Sequence, residues 1–240
     1  MPWSHLLVAA DDSRAGLHAL DTAEGLATRI GARVTVLTVL PNPAAPIPEA
    51  LRSRRPVVAT GVPAIEIVRV ADEIGARAIV LGRTVAGSNR APRLGATGDA
   101  VVRRSRVPCL LVPLEQEGFE HLIVAVDGTE RGLVVLRRAR EFAGTQGGQV
   151  DVVTVERGDR RNAEPPVARM RIQEAMGKGG PVRVLTGNPV DALRSQLDQP
   201  LTDLLVIGAR RGGPSGFDGS TGTGRTMLYT APCAVLTIPL

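Results

Sequence analysis

The chain repeats itself, and that repeat constrains the fold more than any single motif. His5-Leu-Leu-Val-Ala-Ala-Asp11-Asp-Ser13 lines up with His121-Leu-Ile-Val-Ala-Val-Asp127-Gly-Thr129, 116 residues further on. Arg33–Val39 matches Gln149–Val155 in the same register. Thr60-Gly-Val-Pro63, Ile79-Val-Leu-Gly82 and Leu111-Val-Pro113 then match Thr186-Gly-Asn-Pro189, Leu205-Val-Ile-Gly208 and Thr237-Ile-Pro239 at a constant offset of 126. The second copy therefore holds ten extra residues between Val155 and Val182. Such a repeat predicts two domains, 1–117 and 118–240, each long enough to bury a core.

Within each copy, short apolar runs alternate with amphipathic stretches. In the first, Leu6–Ala10 reads as a strand. Ser13 can cap a helix whose Leu17, Leu20, Ala23, Ala27 and Ile30 recur at three- and four-residue spacing, with Gly31 to end it. Val34–Leu40, Val57–Thr60, Ala78–Leu81 and Cys109–Val112 read as further strands, with helices over Pro63–Ile74 and near Asp99–Arg104. The proline-rich Pro41–Arg55 leaves room for a stub of helix, where the second copy has Val167–Met176. Asn188-Pro189 is a helix start, asparagine as cap and proline in the first turn. Five near-continuous apolar strands separated by helices predict an α/β fold, a parallel sheet covered on both faces, built twice. Each copy ends in an apolar strand that would lie at a sheet edge, so the copies are expected to pair through those edges as a pseudo-twofold intramolecular dimer.

Composition excludes several functions. Aromatic residues make up 2% of the chain, too few for base-stacking platforms. The net charge of +5 is spread evenly: 14 basic against 11 acidic residues in 1–117, 15 against 13 in 118–240. With Lys178 the sole lysine, no basic patch emerges, and nucleic acid is not an expected partner. There is no apolar run of about 18 residues, and Leu6–Ala10 is too short for a secretory signal, so a cytoplasmic protein without membrane contact is expected. Cys109 and Cys233, beside prolines in apolar runs, read as small buried hydrophobes.

Ligands of doubly wound sheets bind beyond the strand carboxyl ends where strand order reverses. Two features fall there: the acidic turns Asp11-Asp12-Ser13 and Asp127-Gly128-Thr129, and the glycine-rich loops Gly82–Thr97 and Gly208–Thr223. Backbone N–H groups of such a loop, with a helix start behind it, suit phosphate, and a carboxylate opposite suits ribose or base. The competing reading is structural, since an aspartate after a strand also caps helices and glycine loops also turn chains.

Val-Ala-Val-Asp-Gly-Thr, Thr-Gly-x-Pro and a fourth strand running into spaced glycines followed by Ser/Thr resemble the universal stress protein family, over essentially the whole chain as a tandem member. The resemblance implies sheets of order 3-2-1-4-5, related to the adenine nucleotide alpha hydrolases, and in many members ATP at the junction of strands one and four. Carried over by position, the second copy would hold nucleotide with Asp127, Val155, Gly208, Gly212, Gly222 and Thr223, and the first with Asp11, Gly82 and Gly95. In the first copy Val85 replaces the middle glycine and Ala96 the hydroxyl residue, so the second is the favoured site. There the glycine spacing fits only if the register slides by one residue, placing Gly222 opposite Gly95.

No enzyme signature competes. Lys178 lies outside any phosphate-binding Gly-Lys-Ser/Thr, and Gly213-Pro-Ser215-Gly-Phe217 lacks the last glycine of a nucleophile elbow. His5 and His121 occupy equivalent positions and have no metal-ligand spacing, and His18 reads as a surface residue. The expectation is thus a nucleotide-responsive (ATP or AMP) binding protein of the stress response, without efficient catalysis, metal or nucleic acid, a homodimer being left open. The alternative is an interaction module that acts through dimerisation and binds no nucleotide.

Overall fold

The computed structural model describes residues 3–85, 92–114, 116, 118–156, 167–177, 180, 182–197, 202–209 and 222–240. In the first half, β1 (His5–Ala9), α1 (Arg14–Ile30), β2 (Arg33–Leu40), α2 (Glu49–Arg52), β3 (Val57–Thr60), α3 (Pro63–Glu73) and β4 (Ala78–Val85) follow in turn. They lead into β5 (Pro92–Arg93), α4 (Ala96–Arg104) and β6 (Cys109–Pro113). The second half runs β7 (His121–Ala125), α5 (Glu130–Gln146), β8 (Gln149–Glu156), α6 (Val167–Met176), β9 (Val182–Thr186), α7 (Pro189–Leu197), β10 (Leu204–Ala209), α8 (Gly222–Thr230) and β11 (Ala234–Pro239).

Helix starts and stops follow from local chemistry. Ser13 Oγ accepts from Gly16 N at 3.0 Å to open α1, and Thr129 Oγ1 accepts from Gly132 N at 3.1 Å to open α5. Gly31 closes α1 at φ 66, a left-handed conformation that favours glycine. Asn188 Oδ1 accepts from Val190 N at 2.9 Å at the start of α7.

Each half has the expected order, β3-β2-β1-β4-β6 and β9-β8-β7-β10-β11, and every pairing within these two sets is parallel. The halves are not two separate sheets. Their last strands, β6 and β11, pair antiparallel with Leu110 opposite Leu236 and Cys109 opposite Thr237, so one sheet runs through the molecule. The edges predicted to attract each other do so, because an apolar strand with unpaired backbone groups is stabilised by a second one alongside. Both faces of this sheet carry one continuous core drawn from both halves. Trp3 meets Phe142 edge-to-face at 5.0 Å, and Phe119 meets the same ring at 6.3 Å.

Gln116 pins the connection between the halves: its Oε1 accepts from Ala234 N at 3.1 Å, and its carbonyl accepts from His18 Nε2 at 3.1 Å. His18 is therefore a half-buried seam residue, not a free surface one. His5, also buried, accepts from Arg33 Nη2 at Nδ1 (2.9 Å), which leaves Nε2–H for Thr35 Oγ1 (2.8 Å).

Candidate functional site

The second half reverses its strand order between β7 and β10, and Asp127, Val155 and Gly208 stand at that crevice. Ala125 pairs with Val153 and Val124 with Val206. Asp127 and Val155 thus stand two residues beyond one paired rung, and Gly208 two beyond another, all at the strand carboxyl ends. The first turn of α8 joins them: a Cβ placed on Gly224 would lie 3.6 Å from the Gly208 carbonyl oxygen. Gly222 at the head of α8 is exposed and Thr223 half-buried. The opening N–H groups of an α-helix have no partner within it, and the dipole adds positive potential there.

Asp127 serves both readings of the acidic turn. Its Oδ1 accepts from Thr129 N at 3.1 Å and from Thr129 Oγ1 at 2.7 Å, and so braces the start of α5. Oδ2 takes no hydrogen bond among the described residues, and the residue is exposed. Asp11 does the same with Ser13. Gly128 carries φ 73, and a Cβ there would come within 2.5 Å of Ala168 Cα. Helix α6 therefore lies directly on the acidic turn and walls the second site. The first half has only the four-residue α2 at the corresponding point in the chain.

The first-half crevice differs. A Cβ on Gly82 would meet the Ala15 carbonyl oxygen at 2.4 Å, so the backbone of α1 closes onto β4. A Cβ on Gly208 would meet first the side chains of Leu240 (2.6 Å) and Val135 (3.1 Å). The loop expected over Gly82–Thr97 is no open cradle at its base. β4 runs four residues past Leu81, and Thr84 and Val85 pair antiparallel with Arg93 and Pro92 of β5. Gly95 follows as the residue before α4, in an extended conformation (φ −66, ψ 162).

The slid register is corrected. Helices α4 and α8 open at Ala96 and Gly222 and close at Arg104 and Thr230, keeping the offset of 126 found in the strands. Their buried pairs, Val101-Val102 and Met227-Leu228, keep it too. Deleting one residue inside such a helix would turn the buried face by about 100°. Gly222 thus corresponds to Ala96, and Thr223 to Thr97, an exposed hydroxyl that sequence reading passed over. Gly212, Lys178 and Gly213–Phe217 lie outside the described residues.

Sequence reading also missed Arg83, fully buried in the second half of β4. Its signal was a charged residue set in the apolar run after Gly82. Nη1 donates to the Cys233 carbonyl at 2.8 Å and Nη2 to that of Ala231 at 3.2 Å, both in the other half. Burial pulls the guanidinium down to about 10, so it stays charged at neutral pH. Burial also pushes the Cys109 and Cys233 thiols up to about 11, which keeps them inert, as small hydrophobes should be. No helix among the described residues is long and apolar enough to cross a membrane.

Comparison with known proteins accords with this architecture. The universal stress protein family matches residues 2–57, 49–113 and 118–239. Among solved structures, a universal stress protein from Archaeoglobus fulgidus DSM 4304 superposes with a TM-score of 0.75 at 18% identity, covering 100% of this chain and 99% of its own. A putative universal stress protein from Pseudomonas aeruginosa UCBPP-PA14 gives 0.75 at 16%, covering 98% and 93%. A functionally unknown protein from Pseudomonas aeruginosa PAO1 gives 0.76 at 18%, covering 98% and 92%. Among curated proteins none matches. With two copies of its characteristic fold in one polypeptide, the chain belongs to the universal stress protein family.

Proposed function

We propose that the second half binds an adenine nucleotide, ATP or AMP, and that the chain acts as a nucleotide-responsive binding protein in a stress response rather than as an efficient enzyme. The observation that carries this reading is the placement of the α8 first turn on Gly208, across the crevice from Asp127. Phosphate would take the opening N–H groups of that turn and the Thr223 hydroxyl. Asp127 would offer its unengaged oxygen to ribose or base, and Val155 would lie against the ring. The first half is the weaker site, because α1 already closes onto Gly82 and the loop base is zipped by β5. The halves divide after residue 117, a reading supported by the end of β6 at Pro113 and the start of β7 at His121.

Binding without fast turnover is part of the same proposal, because neither glycine-rich loop, Gly82–Thr97 or Gly208–Thr223, supplies in sequence both a carboxylate pair for a metal ion and a positioned base. Two measurements test the reading. Mass spectrometry of gently purified protein should find one adenine nucleotide per chain, lost in Asp127→Ala and kept in Asp11→Ala. Steady-state phosphate release should stay well below about 1 per second. Release at that rate, abolished by Asp127→Ala, would make the protein an enzyme.

A further inference from the structure

We propose that Arg83, carried by the first half, is a positioning residue for the nucleotide site of the second: it holds α8 by its carboxyl end and so sets where Gly222 and Thr223 stand. The inference rests on the proposed nucleotide site.

The last carbonyls of a helix have no partner within it, and a cation suits that end of the dipole. Ala231, whose N–H donates to the Met227 carbonyl at 2.9 Å, terminates α8, and Cys233 leads into β11. Arg83 bridges the two carbonyls from β4, whose Arg83 lies beside Pro113 of the seam strand β6. Among the described residues no carboxylate salt-bridges it and its Nε has no partner. Among the described residues, it is those two carbonyls that offset the cost of burying this charge.

The repeat supplies an internal control. The residues corresponding to Ala231 and Cys233 are Ser105 and Val107, and there the chain caps itself: Ser105 Oγ donates to the Val107 carbonyl at 2.6 Å and accepts from Val107 N at 3.1 Å. The residue corresponding to Arg83 is Ala209. The fold thus forms this helix end without an arginine from elsewhere, whereas the second half uses a group owned by the first.

One further contact reaches α8 from the first half. Strand β5 lies against it. A nine-residue helix is a rod of about 14 Å. Displacing its carboxyl end displaces its first turn, where phosphate must meet N–H groups to within a few tenths of an ångström.

The test measures ATP affinity by titration in the wild type, Arg83→Met, Arg83→Lys and Ser105→Ala, with hydrogen exchange of α8 amides alongside. Arg83→Met should weaken ATP at least tenfold and raise exchange in α8. Arg83→Lys keeps the charge but loses the two-pronged geometry, and should weaken ATP at least threefold. Ser105→Ala breaks the matching cap in the first half and should leave affinity within twofold of wild type. A folded Arg83→Met that binds like wild type overturns the proposal. If Arg83→Met does not fold, an Arg83→Lys affinity equal to wild type overturns it. Loss in Ser105→Ala as large as in Arg83→Met would reduce the effect to general loosening and overturn it too. Wild-type protein that binds no ATP overturns the nucleotide reading itself, and this inference with it.

Discussion

The two halves share strand order, helix positions and cap chemistry, yet they finish their fourth strands differently. In the first, β4 continues to Val85, folds back onto β5, presses Gly82 against the backbone of α1 and sends Arg83 into the other half. In the second, Gly208 faces the side chains of Leu240 and Val135 rather than backbone, α6 covers the acidic turn, and the head of α8 stands by the crevice. Strand and helix positions are held by burial on both faces of one sheet, where a shift of register would expose a core. Strand ends carry no such penalty, and that is where a duplicated fold is free to diverge.

Several substitutions sharpen or break this contrast. The largest effect is expected at the seam. Leu236 is fully buried where β6 and β11 meet, and Leu236→Asp would bury an unpaired charge, at a cost above about 4 kcal/mol. On the outer edge of the same sheet Val57 is 41% exposed, and Val57→Asp should change stability by less than about 0.5 kcal/mol. Urea denaturation of both variants decides it, and equal losses would mean that the seam is not a shared core.

A smaller effect separates the two crevice glycines. Gly82→Ala must move the Ala15 carbonyl and should cost about 1–3 kcal/mol, whereas Gly208→Ala meets the tip of Leu240, which can swing aside, and should cost under about 1 kcal/mol. A reversed order in thermal melts would show that α1 does not close the first site.

The smallest is a pH effect confined to the first half. Burial and the neighbouring Arg33 lower the pKa of His5, so the folded chain keeps it neutral. As pH falls below about 6.5 the unfolded chain takes up the proton first, so stability present above that pH is lost on acidification. His5→Gln, which can also accept from Arg33 and donate to Thr35, should flatten the decline between pH 7 and pH 5. An unchanged slope would place the acid sensitivity elsewhere.

Much of this was legible in the sequence because it is local. Ser13 and Gly31 mark the ends of α1 by cap chemistry alone, Val57–Thr60 and Val167–Met176 have the bounds read from pattern, and the terminal apolar strands announced their pairing. What stayed hidden depends on partners distant in sequence. Nothing near Arg83 names the carbonyls of Ala231 and Cys233, some 150 residues away. The slid register honoured glycine spacing, but helices α4 and α8 obey the burial of Val101-Val102 and Met227-Leu228, which spacing does not express. His18 looked like a surface residue because its acceptor, the carbonyl of Gln116, belongs to the link between the halves.

The central claim, that nucleotide occupies the second half, is tested most directly by ATP-induced thermal shift in two glycine variants that leave the unliganded fold intact. Among the described residues, a Cβ on Gly222 would meet Thr226 Oγ1, at 3.7 Å, and one on Gly95 nothing within 4 Å. At ATP about 100-fold above its dissociation constant, binding should stabilise the wild type by about 2.7 kcal/mol. That corresponds to a rise of roughly 5–10 °C for a protein of this size. Gly222→Val should abolish the rise by placing a branched side chain where phosphate meets backbone, and Gly95→Val should keep it. A rise that survives Gly222→Val, or that only Gly95→Val removes, would contradict the account.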